Sequence, residues 1–331
     1  MVEKLLEGPK TYYLWLLFLL CVIAGCGIVY LDQLQNGLSV TGMSRDVSWG
    51  LYISQFTYFV GVAASAVMLV LPTYFHHYKK FKRMIIFGEF MAVAAVVMCA
   101  LFIVVDLGQP QRMLNVMLHP TPNSVMFYDM LVLIGYLGLN IIIGWVTLEA
   151  ERHEIDPPKW IKPLIYLSIL WAFSIHTVTA FLYAGVPGRH YWLTAIMAGR
   201  FLASAFCSGP AIHVLFFGHG GHLLWVSYWM WAAVIMAFGC LAILIPPKLR
   251  THPTLMPIAL AMLVAASWID KGLGLLIGGF TPNMFEAITP YMPTGKEIAV
   301  ALGVYAVGAL VVSLLWRIAL GVKKEVNHFS D

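Results

Sequence analysis

The 331-residue chain is 60% hydrophobic and only 11% charged, with a formal net charge of +4. A soluble domain is nearer half apolar and a quarter charged, so these figures and a mean hydropathy of +0.82 exclude a soluble globular enzyme. They point instead to an all-α integral membrane protein.

Nine apolar runs are long enough to cross a bilayer, at about 12–31, 49–75, 84–105, 125–148, 162–183, 193–217, 223–245, 254–279 and 298–320. A helix rising about 1.5 Å per residue needs roughly 20 residues to traverse a hydrocarbon core of about 30 Å. Nothing between the runs is long enough for a soluble domain, so residues 1–331 read as one membrane domain. Within the first run, Ile23-Ala24-Gly25-Cys26 matches a lipoprotein cleavage box, but we read the segment as a signal anchor and first span. Spans 2–5 and 6–9 suggest two four-helix bundles of like orientation, with the first span flanking them. "FVGVAASA" (Phe59–Ala66) and "FCSGPA" (Phe206–Ala211) echo one another in spans 2 and 6, and their small residues suit close helix packing in lipid.

Lys/Arg bias in short loops sets orientation. Placing "HHYKKFKR" (His76–Arg83) in the cytoplasm also puts Lys4, Lys10, Arg152, Lys159 and Lys162 inside, with the N-terminus. The second half disagrees, because Lys248, Arg250, Lys323 and Lys324 then come out external and Lys296 internal. The first half is given precedence, since early spans usually dominate topology. The expected location is the cell membrane, multi-pass.

The five cysteines (Cys21, Cys26, Cys99, Cys207, Cys240) lie in apolar runs without a C-x-x-C pair, so no cysteine-held zinc or cluster is expected. No basic, aromatic-interleaved patch argues for nucleic acid.

Charges inside a membrane cost about 2.5–3.5 kcal/mol each at the helix centre and need a reason. The joint "DLGQPQRMLNVMLHPTPNSVMFYD" (Asp106–Asp129) separates spans 3 and 4 and is unusually polar. Counting rise along the spans, Asp106, Asp129, His176 and Arg200 share the outer half. His176, Thr179 and Tyr183 fall at i, i+3 and i+7 and form one stripe on span 5; Arg200 and Ser204 do the same on span 6. With Trp49, Tyr52 and Tyr128 as walls, this set suits an amphipathic ring carrying two oxygens. Carboxylate and imidazole exchange protons near neutral pH, as quinol chemistry requires. The alternative is structural, with the aspartates capping helix ends and pairing with Arg112 or Arg200. A deeper group, Glu89, His213, Asp270 and Lys271, reads either as a proton path or as static ion pairs. Asp270 and Lys271 are adjacent and point about 100° apart, which disfavours their mutual pairing. His176 and His213 fall at different depths and cannot clamp one haem, so neither metal nor haem is expected.

"SWGLYISQFTYFVGVAASA" (Ser48–Ala66), "DLGQPQR" (Asp106–Arg112) and "NSVMFYDMLVLIGY" (Asn123–Tyr136) resemble motifs of the NrfD-type family, the membrane subunits of polysulfide reductase-like complexes. "SIHTVTAFLYAGVPGRHYWLTAIMAGRFLASAFCSGPA" (Ser174–Ala211) resembles the P-type subunits of the DsrMKJOP complexes of sulfate-reducing microbes. The resemblance implies electron exchange between a quinone pool, menaquinone in that setting, and a ferredoxin-like iron–sulfur subunit on the outer face, within a larger membrane redox complex. It also implies no metal in this chain, and a quinone pocket near the outer surface bounded by Trp49, Tyr52, Asp106, Ser124 and Asp129, with His176 and Arg200 brought to the same end. Gln109 departs from the family pattern, where lysine or arginine is common. Two other readings remain, a secondary transporter built of two bundles around the Gly209-Pro210 break, and a passive membrane anchor.

Overall fold

The structure is a computed structural model that describes residues 2–65, 82–186, 189, 191–206, 224–280 and 291–328. Among these the regular elements are all helical. The principal helices are α1 (Lys10–Asn36), α2 (Leu51–Ser65), α3 (Lys82–Asp106), α4 (Val125–Arg152), α5 (Ile161–Ala184), α6 (Ile196–Phe206), α7 (Leu224–Leu244), α8 (Leu255–Trp268) and α9 (Gly295–His328). Past Trp268, α8 continues through a π-helical turn (Ile269–Gly274) into a last short helix (Leu275–Phe280). Six of these segments are long and apolar enough to cross a membrane, while α2 and α7 contribute shorter apolar stretches.

The chain is an integral membrane protein, and its surface shows why the composition is so apolar. Leu17 and Phe18 on α1, Ile134 and Ile141 on α4, and Ile235 and Phe238 on α7 are all exposed. Water would make such faces costly, whereas lipid does not. Association must then rest on close packing rather than hydrophobic exclusion. The central helix α3 supplies it with Ala92, Ala94, Ala95 and Cys99, none of which has exposed surface. It packs against α2, α4 and α9. Gly144 lets α4 approach the Phe90 ring, and Gly308 lets α9 approach Met98; a Cβ at either position would lie 2.9 Å or less from that neighbour.

Helices α2 to α5 form a four-helix bundle of alternating direction, as expected. The second bundle is a correction. Among the described residues helix α9 touches α8 at the Trp268–Tyr305 bond but packs chiefly with α1 and along α3 and α4, rather than forming a bundle with α6, α7 and α8. Trp15 Nε1 donates to Ser313 Oγ at 3.0 Å, and Lys296 pairs with Asp32 at 2.6 Å, so α1 and α9 run antiparallel.

That pairing overturns the directions expected for the last spans. The end of α9 meets the segment before α1, where Lys4 is ion-paired with Glu325, and it meets the end of α4, where Lys323 Nζ lies 2.7 Å from Glu151. The beginning of α9 lies with residues 40–42 at the opposite end. Helix α8 is reversed likewise: its last segment reaches Trp192, whose Nε1 donates to the Leu275 carbonyl at 3.0 Å. The start of α8, with Lys248 and the 247–250 turn before it, therefore lies at the end that holds Lys4 and Arg152. The count of nine alternating spans, not the Lys/Arg bias, misread this half, because one run miscounted as a crossing inverts every loop that follows it. With the reversal, Lys248, Lys323 and Lys324 join the basic end and Lys296 the other. Because Lys4 and Glu325 meet, the number of complete crossings between them is even, which nine full spans would not satisfy. Residues 76–81 of the loop His76–Arg83 and the Gly209-Pro210 break lie outside the described residues; Lys82 and Arg83 open α3.

Candidate functional site

The polar joint and the polar stripe meet at the end opposite the basic one. His176, Thr179 and Tyr183 are all buried on α5 with relative exposures of 1% or less, as their spacing predicts. Each finds a partner from another helix. Thr179 Oγ1 donates to Asp129 Oδ1 on α4 at 2.7 Å. Tyr183 shares a short hydrogen bond with Thr57 on α2. His176 Nε2 lies 3.3 Å from Lys271 Nζ. Above Tyr183, Trp49 and Trp192 close the stripe, with ring centroids 5.3 and 4.9 Å from the tyrosine.

Lys271 sits in the π turn of α8, where the Leu275 N–H reaches back to the Asp270 carbonyl. Its ammonium also donates to the Phe201 carbonyl at 3.3 Å and lies 5.0 Å from the Phe201 ring centroid. Gly61 on α2 leaves the space, since a Cβ there would stand 3.0 Å from Lys271 Nζ. Asp270 turns away, as its sequence adjacency predicts, and pairs with Arg200 at 3.2 Å. Arg200 in turn donates to Tyr191 at 2.8 Å. Asp270 and Lys271 therefore belong with His176 and Arg200, not with Glu89 in a deeper group; the reversal of α8 is the reason. Glu89 is buried on α3, about 25 Å along the helix from Asp106, and its Oε2 has no partner among the described residues. His213 lies outside the described residues, and so does the side chain of Ser204.

On the other side of Asp129 is a cavity of about 300 Å³ between α3, the joint and α4. Its wall is apolar, with Ile103, Met130 and Leu133 prominent, and Met113 and Met117 cover it from the joint. Arg112, Gln109 and Asp129 are the polar lining residues. Asp129 is thus shared: one carboxylate borders a lipid-side cavity and holds the polar stripe of α5.

Asp106 does not line this cavity. Its Oδ1 is buried without a partner among the described residues, and the group lies in the field of Glu297 and Tyr52. Tyr52 is fully buried and donates to Gln33 at 2.7 Å, while Gln33 donates to the Val105 carbonyl at 2.7 Å. Arg200 pairs with neither expected aspartate. Tyr128 is 45% exposed and stacks edge-on to Phe127, so it forms no wall; its position one residue before Asp129 turns it about 100° outward. Ser124 is the N-cap of α4, although its hydroxyl makes no cap bond.

Three residues escaped sequence reasoning. Gln33 and Gln55 are buried amides on α1 and α2, and neutral side chains send no charge signal. Glu297 is fully buried and accepts from Tyr291 Oη, Gly42 N and Thr294 N at 2.9, 2.7 and 2.9 Å. Its signal was present: Thr294 and Glu297 form a T-x-x-E capping box that starts α9, with Glu297 N donating back to Thr294 Oγ1.

Residues 39–238 match the family described as polysulphide reductase, NrfD. The chain belongs to the NrfD family. Among its relatives is a protein of Halobacterium salinarum named as a membrane subunit of dimethyl sulfoxide reductase, 24% identical over 91% of this chain and 89% of the relative. A selenate reductase subunit of Mesobacillus selenatarsenatis is 24% identical over 64% of this chain and 57% of its own. The Hdr-like menaquinol oxidoreductase integral membrane subunit of Archaeoglobus fulgidus is 23% identical over 62% and 50%. The NrfD match takes in the joint, the α5 stripe and Arg200. It stops short of the π turn and of Glu297, which this chain places against it.

Proposed function

We propose that the chain is the quinone-reactive membrane subunit of a respiratory oxidoreductase, exchanging electrons between menaquinone or menaquinol and a partner iron–sulfur subunit at the joint end. The observation that carries this reading is the two-sided position of Asp129, with an apolar, lipid-side cavity on one side and a buried polar stripe on the other. A quinol ring with its apolar tail suits such a cavity. When quinol is oxidised its two hydroxyl protons leave with the two electrons. The Asp129 carboxylate accepts them one at a time, passing the first on before it takes the second, and Thr179 holds the opposite oxygen so that the acceptor faces the cavity. The two electrons leave to the partner's cluster. Family membership and the names of the relatives, which include a menaquinol oxidoreductase subunit, support the class of partner and substrate.

In the same reading the chain crosses the cell membrane with the basic end and the N-terminus in the cytoplasm. His176, Lys271, Asp270 and Arg200 then form a charged cluster in the outer half and serve as the next steps for protons, with Glu89 nearer the inner face. Asp106 and Tyr52 border the same end from the α1 side. A complex linked to sulfur or sulfite metabolism, of the DsrMKJOP kind, is the finer proposal, resting on Ser174–Ala211.

The test is menaquinol oxidation by the purified complex, with an artificial acceptor replacing the terminal enzyme. Wild type should reduce the acceptor and lose the activity with Asp129→Asn while all subunits remain assembled. Undiminished turnover in Asp129→Asn would move the quinone elsewhere. A wild-type complex inert toward quinols would leave the transporter and anchor readings.

A further inference from the structure

The π turn that presents Lys271 is pinned at both ends. Trp268, the residue before it, donates through Nε1 to Gln55 Oε1 at 2.7 Å and to Tyr305 Oη at 3.2 Å. Tyr305 Oη donates to the same Gln55 oxygen, so one amide carbonyl on α2 gathers donors from α8 and α9. The Gln55 amide is oriented from the other side, with Nε2 donating to Ser54 Oγ at 3.0 Å. At the far end, Leu275 is the residue after the turn, and its carbonyl receives the Trp192 indole. Gly272 between them lies against α2, where an added Cβ would meet the Ser54 carbonyl at 3.5 Å.

A π turn holds one residue more than the α-helix around it, and such turns recur at functional sites. Relaxing it to α geometry would rotate the residues on one side by about 100° relative to the other. Lys271 would then leave His176, or Trp268 would leave Gln55. Two observations argue that the turn is held for Lys271. Asp270, its neighbour, is already committed to Arg200, and Gly61 keeps open the space that the lysine tip occupies. The groups facing Lys271 are His176 from α5, Arg200 from α6, Cys99 from α3 and Asp270 on its own element. Gln55 bonds instead to Ser54, Trp268 and Tyr305, so it acts on the lysine through Trp268 and the turn.

We infer that Gln55 is a positioning residue: through its bond to Trp268 it fixes the register of the π turn and so holds Lys271 against His176. This rests on the proposed function only where turnover is measured. The experiment compares Gln55→Leu, Lys271→Gln and the double variant in the whole complex, reconstituted in lipid discs. Hydrogen exchange, which is independent of any quinol, is read first. In Gln55→Leu the amides of residues 269–275 should exchange roughly tenfold faster, with those of α3 and α4 unchanged. Unchanged exchange in the turn overturns the inference.

Turnover is read second, as kcat against pH with menaquinol. Lys271→Gln should abolish one limb of the profile, and Gln55→Leu should displace the same limb. Added to Lys271→Gln, Gln55→Leu should change kcat by less than about twofold, because the two act as one unit. A Gln55→Leu effect that is uniform in pH and equal in both backgrounds makes Gln55 merely structural and overturns the inference. A wild-type complex that oxidises no quinol overturns the proposed function instead, and the exchange result then decides the register clamp alone.

Discussion

Thr179 Oγ1 stands 2.7 Å from Asp129 Oδ1, joining two helices at the boundary between the lipid-side cavity and the buried stripe. The threonine hydroxyl donates to the carboxylate and also lies within hydrogen-bond distance of the Ile175 carbonyl on its own helix. Thr179→Val removes the donor while keeping the shape. Leaving a buried oxygen unpaired should cost about 1–3 kcal/mol of stability, and quinol turnover should fall roughly tenfold as the carboxylate loses its orientation. Thr179→Ser should retain most of both, checked by thermal melting of the complex and by steady-state assay.

The Arg200–Asp270 pair is buried, with side-chain exposures of 15% and 3%. Removing one partner leaves an uncompensated charge. Arg200→Leu or Asp270→Leu alone should therefore destabilise the protein by about 3–5 kcal/mol, and the double Leu variant by less than either. Melting of the four proteins in one detergent measures this directly. By contrast Lys323→Ala, which breaks an ion pair at the basic end, should change stability by no more than about 1 kcal/mol.

Gly61→Ala tests the room made for Lys271. The new methyl would stand 3.0 Å from the ammonium nitrogen, and the flexible lysine tip is the part that yields. Assembly and melting should stay near wild type, while turnover falls severalfold as Lys271 is pushed from His176. Equal loss of stability and turnover would show that the helices, not the lysine, had moved.

At the joint end, outside the spans, the phenol of Tyr291 is raised above its ordinary value of 10.0, chiefly by burial and then by the Glu297 carboxylate. It donates to Glu297 and accepts from Leu51 N at 2.6 Å. A raised folded value means that the neutral phenol stabilises the fold fully below the unfolded pKa. That stabilisation is lost progressively as pH rises above about 10. The melting temperature of the complex should therefore drop on the alkaline side, and Tyr291→Phe should flatten that drop while lowering stability at neutral pH by about 1–3 kcal/mol.

Much of this arrangement was legible in the residue order. The stripe of His176, Thr179 and Tyr183 was readable because helical periodicity brings i, i+3 and i+7 to one face, and three polar side chains on an apolar helix must face inward. The separation of Asp270 from Lys271 followed from the same geometry. Their depth did not, because depth depends on span direction, and direction in the second half was inferred by alternating counted spans, where one miscounted crossing inverts everything after it. The partition of Asp106 and Asp129 onto opposite sides of α3 was also out of reach. Both lie near helix ends at similar depth, and only the packing of α1 and α9 decides which side each faces. Glu297 was readable as a capping box, yet its role in tying residues 40–42 to α9 is a contact between segments more than 250 positions apart.

The pairing of α1 with α9 bears on how the protein is made. Only 6% of the most apolar stretch of α1 is buried, and its polar anchors on α9 are Trp15 to Ser313 and Asp32 to Lys296. Helix α1 emerges from the ribosome long before α9. It must wait in the bilayer as a nearly solitary helix, tethered by Gln33 to α3, until its mate is inserted. Biogenesis is therefore closed by a seam whose two halves, ending at Asn36 and beginning at Gly295, are made far apart in time.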